Sequence, residues 1–270
     1  MAQAKNEVAE LNKTTAVAIA SMFEEDAGSG FEEADKSAYA IPFLSILQSG
    51  SPQVKKSEGA YIKGAEEGFL FNSVTQDITN GDDGVIVIPC YYMRRFVQWG
   101  ARDAGGGYKG DYLPTDPILS TAKDVEGRLL LPDASGAYNP KTSDILVDTR
   151  NHYVLIVNQD GSYSPALIAI SSTQIKKSRQ WMSKMDGIKM KRADGTMFTA
   201  PMFSHSYKLT TVPESNDKGS WFGWKVETDQ PVTDVNLYQA AKSFRDAVGA
   251  GEVKVAPPTD ENQAETSEDF

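Results

Sequence analysis

The sequence predicts a mainly β protein of the α+β class, and three observations carry that expectation. Five runs rich in β-branched and aromatic residues, 84–99, 152–157, 166–170, 202–212 and 220–227, lie between clusters of turn residues. The body of the chain shows helical apolar spacing in two stretches, 171–185 and 232–248. The order through the first helix is three strands, a helix and two strands, which is the element order of an OB-like five-stranded Greek-key barrel with an inserted helix.

Taken in order, residues 1–40 mix short Ala-rich helical potential at 16–23 with a break at Gly28-Ser-Gly30, and read as a flexible acidic arm. The first core segment is 41–47, followed by strand-like pieces at 61–62 and 69–71. A turn at 79–84 launches the long strand 84–99. Residues 113–143 are rich in Pro, Gly, Asp and Ser and read as an insertion over the barrel, with one hairpin edge at 128–131. Asn158-Gln-Asp-Gly-Ser162 has the composition of a hairpin turn. Ser171, Ser172 and Thr173 offer caps for the first helix, which Gly187 ends; Thr233 offers one for the second, which Gly249 ends. The expected layout is an arm at 1–40, a single OB-like domain at 41–250 with the insertion at 113–143, and a disordered acidic tail at 251–270.

The net charge of −10 argues at first against a nucleic-acid partner, but its distribution reverses that argument. Residues 1–40 carry eight acids against three bases, and residues 251–270 six against one, so the span 41–250 balances. Within it, Lys176, Lys177, Arg179, Lys184, Lys189, Lys191 and Arg192 stand against Asp186 alone. No apolar run approaches the ~18 residues of a membrane span. Cys90 is the only cysteine, so no intrachain disulfide forms and no cysteine-based zinc site closes. The start of the chain lacks the layout of a signal peptide, and a cytoplasmic address is expected.

Enzyme chemistry finds little support in the sequence. His152 and His205 both fall in strands, where a histidine is normally packed or exposed without a catalytic task. There is no nucleophile elbow, no His-Glu-x-x-His and no Walker motif, so neither a cofactor nor a metal is expected. What stands out is aromatic residues beside basic ones. Single-strand binders need a positive groove for phosphates and flat side chains for bases, each stacked base contributing ~1–3 kcal/mol. Tyr92, Arg94, Arg95, Phe96 and Trp99 lie on the long strand, with alternation placing Tyr92, Arg94 and Phe96 on one face and Arg95 and Trp99 on the other. Arg102, Tyr108 and Lys109 lie in or beside the glycine-rich stretch 105–110, where backbone could approach a phosphate. Tyr207, Lys208, Trp221, Trp224 and Lys225 lie on the last two strands, and Lys176, Lys177 and Arg179 on the helix.

The body, the Trp221-Phe-Gly-Trp-Lys-Val226 strand and the acidic tail closing on Ser267-Glu-Asp-Phe270 together resemble the single-stranded-DNA-binding proteins of tailed phages. The resemblance implies an OB-fold whose aromatics stack on bases, and a tail in which Glu265, Glu268, Asp269 and Phe270 contact replication or recombination proteins. The expectation is a non-enzymatic single-stranded-DNA-binding protein acting in phage DNA replication or recombination, in the host cytoplasm if phage-encoded, with self-association possible. The alternatives are an acidic phage protein that inhibits a host enzyme by mimicking nucleic acid, and a metal-dependent nuclease.

Overall fold

The computed structural model describes residues 19, 21–34, 38–101, 106–217, 219–253 and 255. It divides into two units, 1–39 and 40–270. In the first, residues 21–25 are helical and turns follow at the positive-φ Gly28 and Gly30. Met22, Phe23 and Phe31 are exposed there.

The second unit is built on one large antiparallel sheet. Its spine is a pair of long strands, β4 (Val85–Trp99) and β8 (Ile145–Val157), matched over almost their whole lengths. One edge of β4 receives β12 (His205–Asn216) at its start and β5 (Tyr108–Tyr112) at its end. The far edge of β8 receives β9 (Tyr163–Ser171) along its second half and β7 (Arg128–Leu130) at its start. β13 (Gly219–Pro231) lies outside β12, and β6 (Lys123–Val125) outside β7. A three-stranded sheet of β1 (Leu44–Ile46), β2 (Leu70–Asn72) and β3 (Ile78–Thr79) precedes the spine. A two-stranded ribbon of β10 (Lys189–Lys191) and β11 (Met197–Thr199) follows the helix α1 (Ile175–Asp186). The helix α2 (Val235–Gly249) comes last.

The two helices cover opposite faces of the sheet. Trp181 and Met185 of α1 pack with Val87, Val154, Ile168, Ile170, Tyr207, Leu209 and Trp224. Ala241 of α2 packs with Ile88, Cys90, Leu155 and Phe203. A bulge in β4 decides which side chains face which helix. Pro89 has no N–H for the ladder, and the pairing with β8 slips between Pro89 and Tyr91. Before the slip the odd position Val87 faces α1; beyond it the even positions Tyr92, Arg94 and Phe96 do, while Tyr91 and Met93 turn to the α2 side.

The fold is therefore the expected antiparallel α+β arrangement, but the five core strands do not close into a barrel. Among the described residues β9 and β13 do not pair, because each edge is occupied by something else. At β9 the Leu167 N–H donates to the Pro42 carbonyl, and Phe43 bridges to Leu167. At β13 the Gln48 amide acts as a substitute strand, accepting from the Phe222 N–H and donating to the Phe222 carbonyl, both at 2.9 Å. Gln174 Oε1 accepts from the Trp224 N–H, and Lys184 donates to the Val226 carbonyl. Saturating an edge with side chains blocks further strand pairing. Gly223 makes this approach possible, since a Cβ there would lie 2.6 Å from Glu214 Oε2 and 2.7 Å from the Gln174 amide.

Three local expectations are corrected. The stretch 113–143 contributes β6 and β7 to the sheet instead of lying over a barrel. α1 begins after a 3-10 turn, Ser172–Gln174, without a side-chain cap. α2 is capped by Asp234, which accepts from the Leu237 N–H at 3.0 Å, and not by Thr233.

Candidate nucleic-acid interface

The seat of α1 fixes the site. Ser178, Trp181 and Met185 fall on one face at helical spacing and are buried. Trp181 stacks on His152, with centroids 4.6 Å apart and planes at 16°, and meets Tyr207 edge-on at 5.8 Å. His152 Nε2 lies 2.8 Å from Ser178 Oγ. Burial, with a smaller contribution from the Arg150 charge, pushes the His152 pKa down to about 3. This imidazole is a neutral packing element at the helix seat. With that face inward, Lys176 and Arg179 point to solvent, and among the described residues neither forms an ion pair.

Between α1 and β13 runs a groove of ≈ 280 Å³. Lys177, Gln180 and Lys184 form one wall, Lys225 and Glu227 the other, and Trp181 and Trp224 the floor. Lys208 is exposed on β12 directly opposite Glu227 in the ladder. The Glu227 carboxyl is held below its usual range, first by the hydrogen bond from Lys225 and then by the charges of Lys225, Lys184 and Lys208. Three lysines thus surround one carboxylate. At the other end Lys177 pairs with Glu214 at 2.7 Å, and Glu214 also accepts from Gln174 and Trp221. Burial raises the Glu214 pKa, but these bonds outweigh it and the net shift is downward. Trp221 is half-buried at that end of the groove.

The remaining candidates divide differently from the expectation. Trp99, Tyr207 and Trp224 are core residues with 4, 0 and 4 % exposure, so their ring faces are closed to bases. Tyr92, Arg94 and Phe96 share a face as alternation required, and form a structured cluster. Arg94 makes a two-pronged pair with Asp148 at 2.9 and 2.8 Å and lies over the Phe96 ring at 5.0 Å. Arg150 joins Asp148 and donates to Tyr92 Oη. On the opposite face Arg95 pairs with Asp111. The glycine-rich stretch does not present a free cation. Lys109 is clasped by both oxygens of Asp144, and Gly100 packs against the Gly106 carbonyl. Tyr108 is exposed and bonds Asp111; burial first, and then Asp111, push its pKa up to about 12. Arg102 and the tail residues Glu265, Glu268, Asp269 and Phe270 lie outside the described residues.

Lys184, Lys189, Lys191 and Arg192 belong to the basic run of the sequence but not to the interface expected from it, and the ribbon is not among the expected elements. The signal was Lys189-Met-Lys-Arg-Ala-Asp-Gly-Thr-Met-Phe-Thr199, two short runs around an Asp-Gly turn. Among the described residues no cluster of three His, Cys, Asp or Glu side chains could hold a metal ion, and no helix is long and apolar enough to cross a membrane.

Fold and groove define a mainly antiparallel α+β protein with one cation-lined face beside a helix. The family described as Pam3 phage gp34-like protein matches residues 12–254, and the chain belongs to that family. No curated protein and no solved structure matches the chain.

Proposed function

We propose that this phage protein is a non-enzymatic single-stranded-DNA-binding protein whose strand path follows the groove between α1 and β13 and the outer face of α1. The observation that carries this reading is the convergence of Lys177, Lys184, Lys208 and Lys225 on one groove, next to the unpaired Lys176 and Arg179. Cations from three elements spaced along a groove suit a phosphate backbone, and such contacts are indifferent to sequence. Stacking falls to the half-buried Trp221 and, away from the groove, to the exposed Tyr108. The reading assigns the protein to phage DNA replication or recombination within the host cytoplasm, and the family to which the chain belongs supports the phage setting alone.

Three of the four tryptophans, Trp181, Trp221 and Trp224, line or end the groove, so intrinsic fluorescence reports on it. Titration with an oligo(dT) of ~30 nucleotides at low and moderate salt, beside blunt duplex, is the test. Salt-sensitive quenching by the single strand supports the reading, and absence of binding at low salt sinks it. A second reading rests on residues 21–34, which carry five acids and no base around the exposed Met22, Phe23 and Phe31. Such a segment suits a protein partner that normally grips nucleic acid.

A further inference from the structure

The β10–β11 ribbon is built unlike the rest of the surface. Five of the six residues of its two strands are exposed. Met190 is 47 % and Met197 59 % exposed, in a ribbon that also carries Lys189, Lys191 and Arg192. A lone two-stranded ribbon is marginally stable and gains nothing from methionines in water. Its register assigns the side chains to two faces. Lys189 pairs with Thr199 and Lys191 with Met197 on one; Met190 pairs with Phe198 on the other. Arg192 lies 4.7 Å over the Phe198 ring and so belongs to that second face. Each face therefore carries at least one cation and one exposed methionine.

A ligand that rests on one surface would require cations on one face. Cations on both faces suit a ligand with anionic walls on both sides, which is what a duplex groove offers to an inserted β-ribbon. The methionines suit the same site, since apolar side chains wedged between base steps are how minor-groove proteins kink a duplex. The one acid of the ribbon, Asp194, is held in the turn by the Thr196 backbone N–H and hydroxyl. The ribbon follows α1 directly, and Lys189 reaches Asp186 at the end of that helix.

We infer that the β10–β11 ribbon is a second nucleic-acid contact that engages duplex, so that the preferred ligand is a junction with its single strand on α1 and its duplex on the ribbon. This rests on the groove reading for the single-strand half only. The test compares three labelled DNAs by fluorescence anisotropy: a 20-nucleotide strand, a blunt duplex, and a duplex with a 20-nucleotide overhang. The proteins are wild type, Lys191→Ala/Arg192→Ala, and Met190→Ser/Met197→Ser, all substitutions of exposed side chains. The wild type is expected to bind the overhang duplex roughly tenfold more tightly than the strand, with both variants losing that preference while keeping strand affinity. A preference kept by both variants, or no preference in the wild type, overturns the inference. Binding to strand lost in all proteins while the variants still weaken duplex binding would fault the groove reading and leave the ribbon as the duplex contact. Sedimentation closes the remaining route: variants that change only the oligomeric state identify the ribbon as a contact between copies, and the inference fails.

Discussion

Two regions of this chain hold similar numbers of cations, and they differ in what those cations face. In the β4–β8 region Arg94, Arg95, Lys109 and Arg150 each meet an aspartate. The sheet register enforces this: Phe96 stands opposite Asp148 and Val97 opposite Asp111, each two residues along the strand from the arginine that reaches across. Around α1 the pairing is partial: Lys177 meets Glu214 and Lys225 meets Glu227, whereas Lys176 and Arg179 have Gln180 and Ser183 four residues on, and the one acid of the helix is Asp186 at its end. No acid lies within helical reach of Lys176 or Arg179, so their charge stays open to solvent. The count of basic residues is a poor guide to a binding surface, and the pairing decides.

The largest effect on that contrast is expected from acid, because the open region stands on a buried histidine. The His152 pKa falls from an ordinary 6.5 to about 3 in the folded protein, so the unfolded chain binds the extra proton below 6.5. Stability from neutral His152 is fully present above that value and is lost as pH falls from 6.5 towards 3, by at most on the order of 5 kcal/mol. Tyr92, Arg150, Ser178 and Trp181 surround the ring and supply no carboxylate to compensate. Urea unfolding at pH 7.5 and 4.5 for wild type and His152→Gln checks this; a variant that loses as much stability as wild type would exclude His152 as the cause.

Removing the acid of the paired region comes next. Asp148→Ala strands Arg94 and the largely buried Arg150, whose Nε already has no partner, and is expected to cost about 2–4 kcal/mol. Lys176→Ala and Arg179→Ala should stay within about 0.5 kcal/mol of wild type, since nothing in the fold leans on them. Thermal denaturation of the three variants measures the contrast. Similar losses in all three would mean that the helix cations are structural as well.

The five long runs that became strands and the two helices of the body were legible from composition and period, and so was the placing of Tyr92, Arg94 and Phe96 on one face. The open sheet was not, because closure depends on Gln48 and Gln174 saturating an edge, and nothing in a glutamine's sequence position announces that task. Burial misled at Tyr207 and Trp224, which lie beside Lys208 and Lys225 in sequence while alternation sends the aromatic inward and the lysine outward, and at Trp99, which the sheet buries with Val97 and Val147. The groove was half legible: the basic run gave Lys177, and the last strands gave Lys208 and Lys225. Lys184 belongs to the same site only because α1 lies along β13, a tertiary fact.

Reversing open charge should act on binding without acting on the fold. Lys176→Glu/Arg179→Glu is expected to weaken oligo(dT) binding by roughly 10- to 100-fold at low salt, through two lost phosphate contacts and two added repulsions. Lys109→Gln, which removes a cation already neutralised by Asp144, should change affinity less than about twofold. Equal losses in the two variants would place the strand on the glycine-rich stretch instead of the helix.

The smallest effect is also the most specific to the mechanism. Each cation that truly contacts a phosphate releases counterions, so removing it lowers the slope of log affinity against log salt by ~0.7 for single strands. Arg179→Ala is expected to lower the slope by about that much. Arg95→Gln, whose guanidinium stays on Asp111, should leave the slope unchanged even if affinity drifts. Affinity alone mixes field, fold and contact, whereas the slope counts contacts. A slope that falls for Arg95 and not for Arg179 would exchange the roles of the two regions.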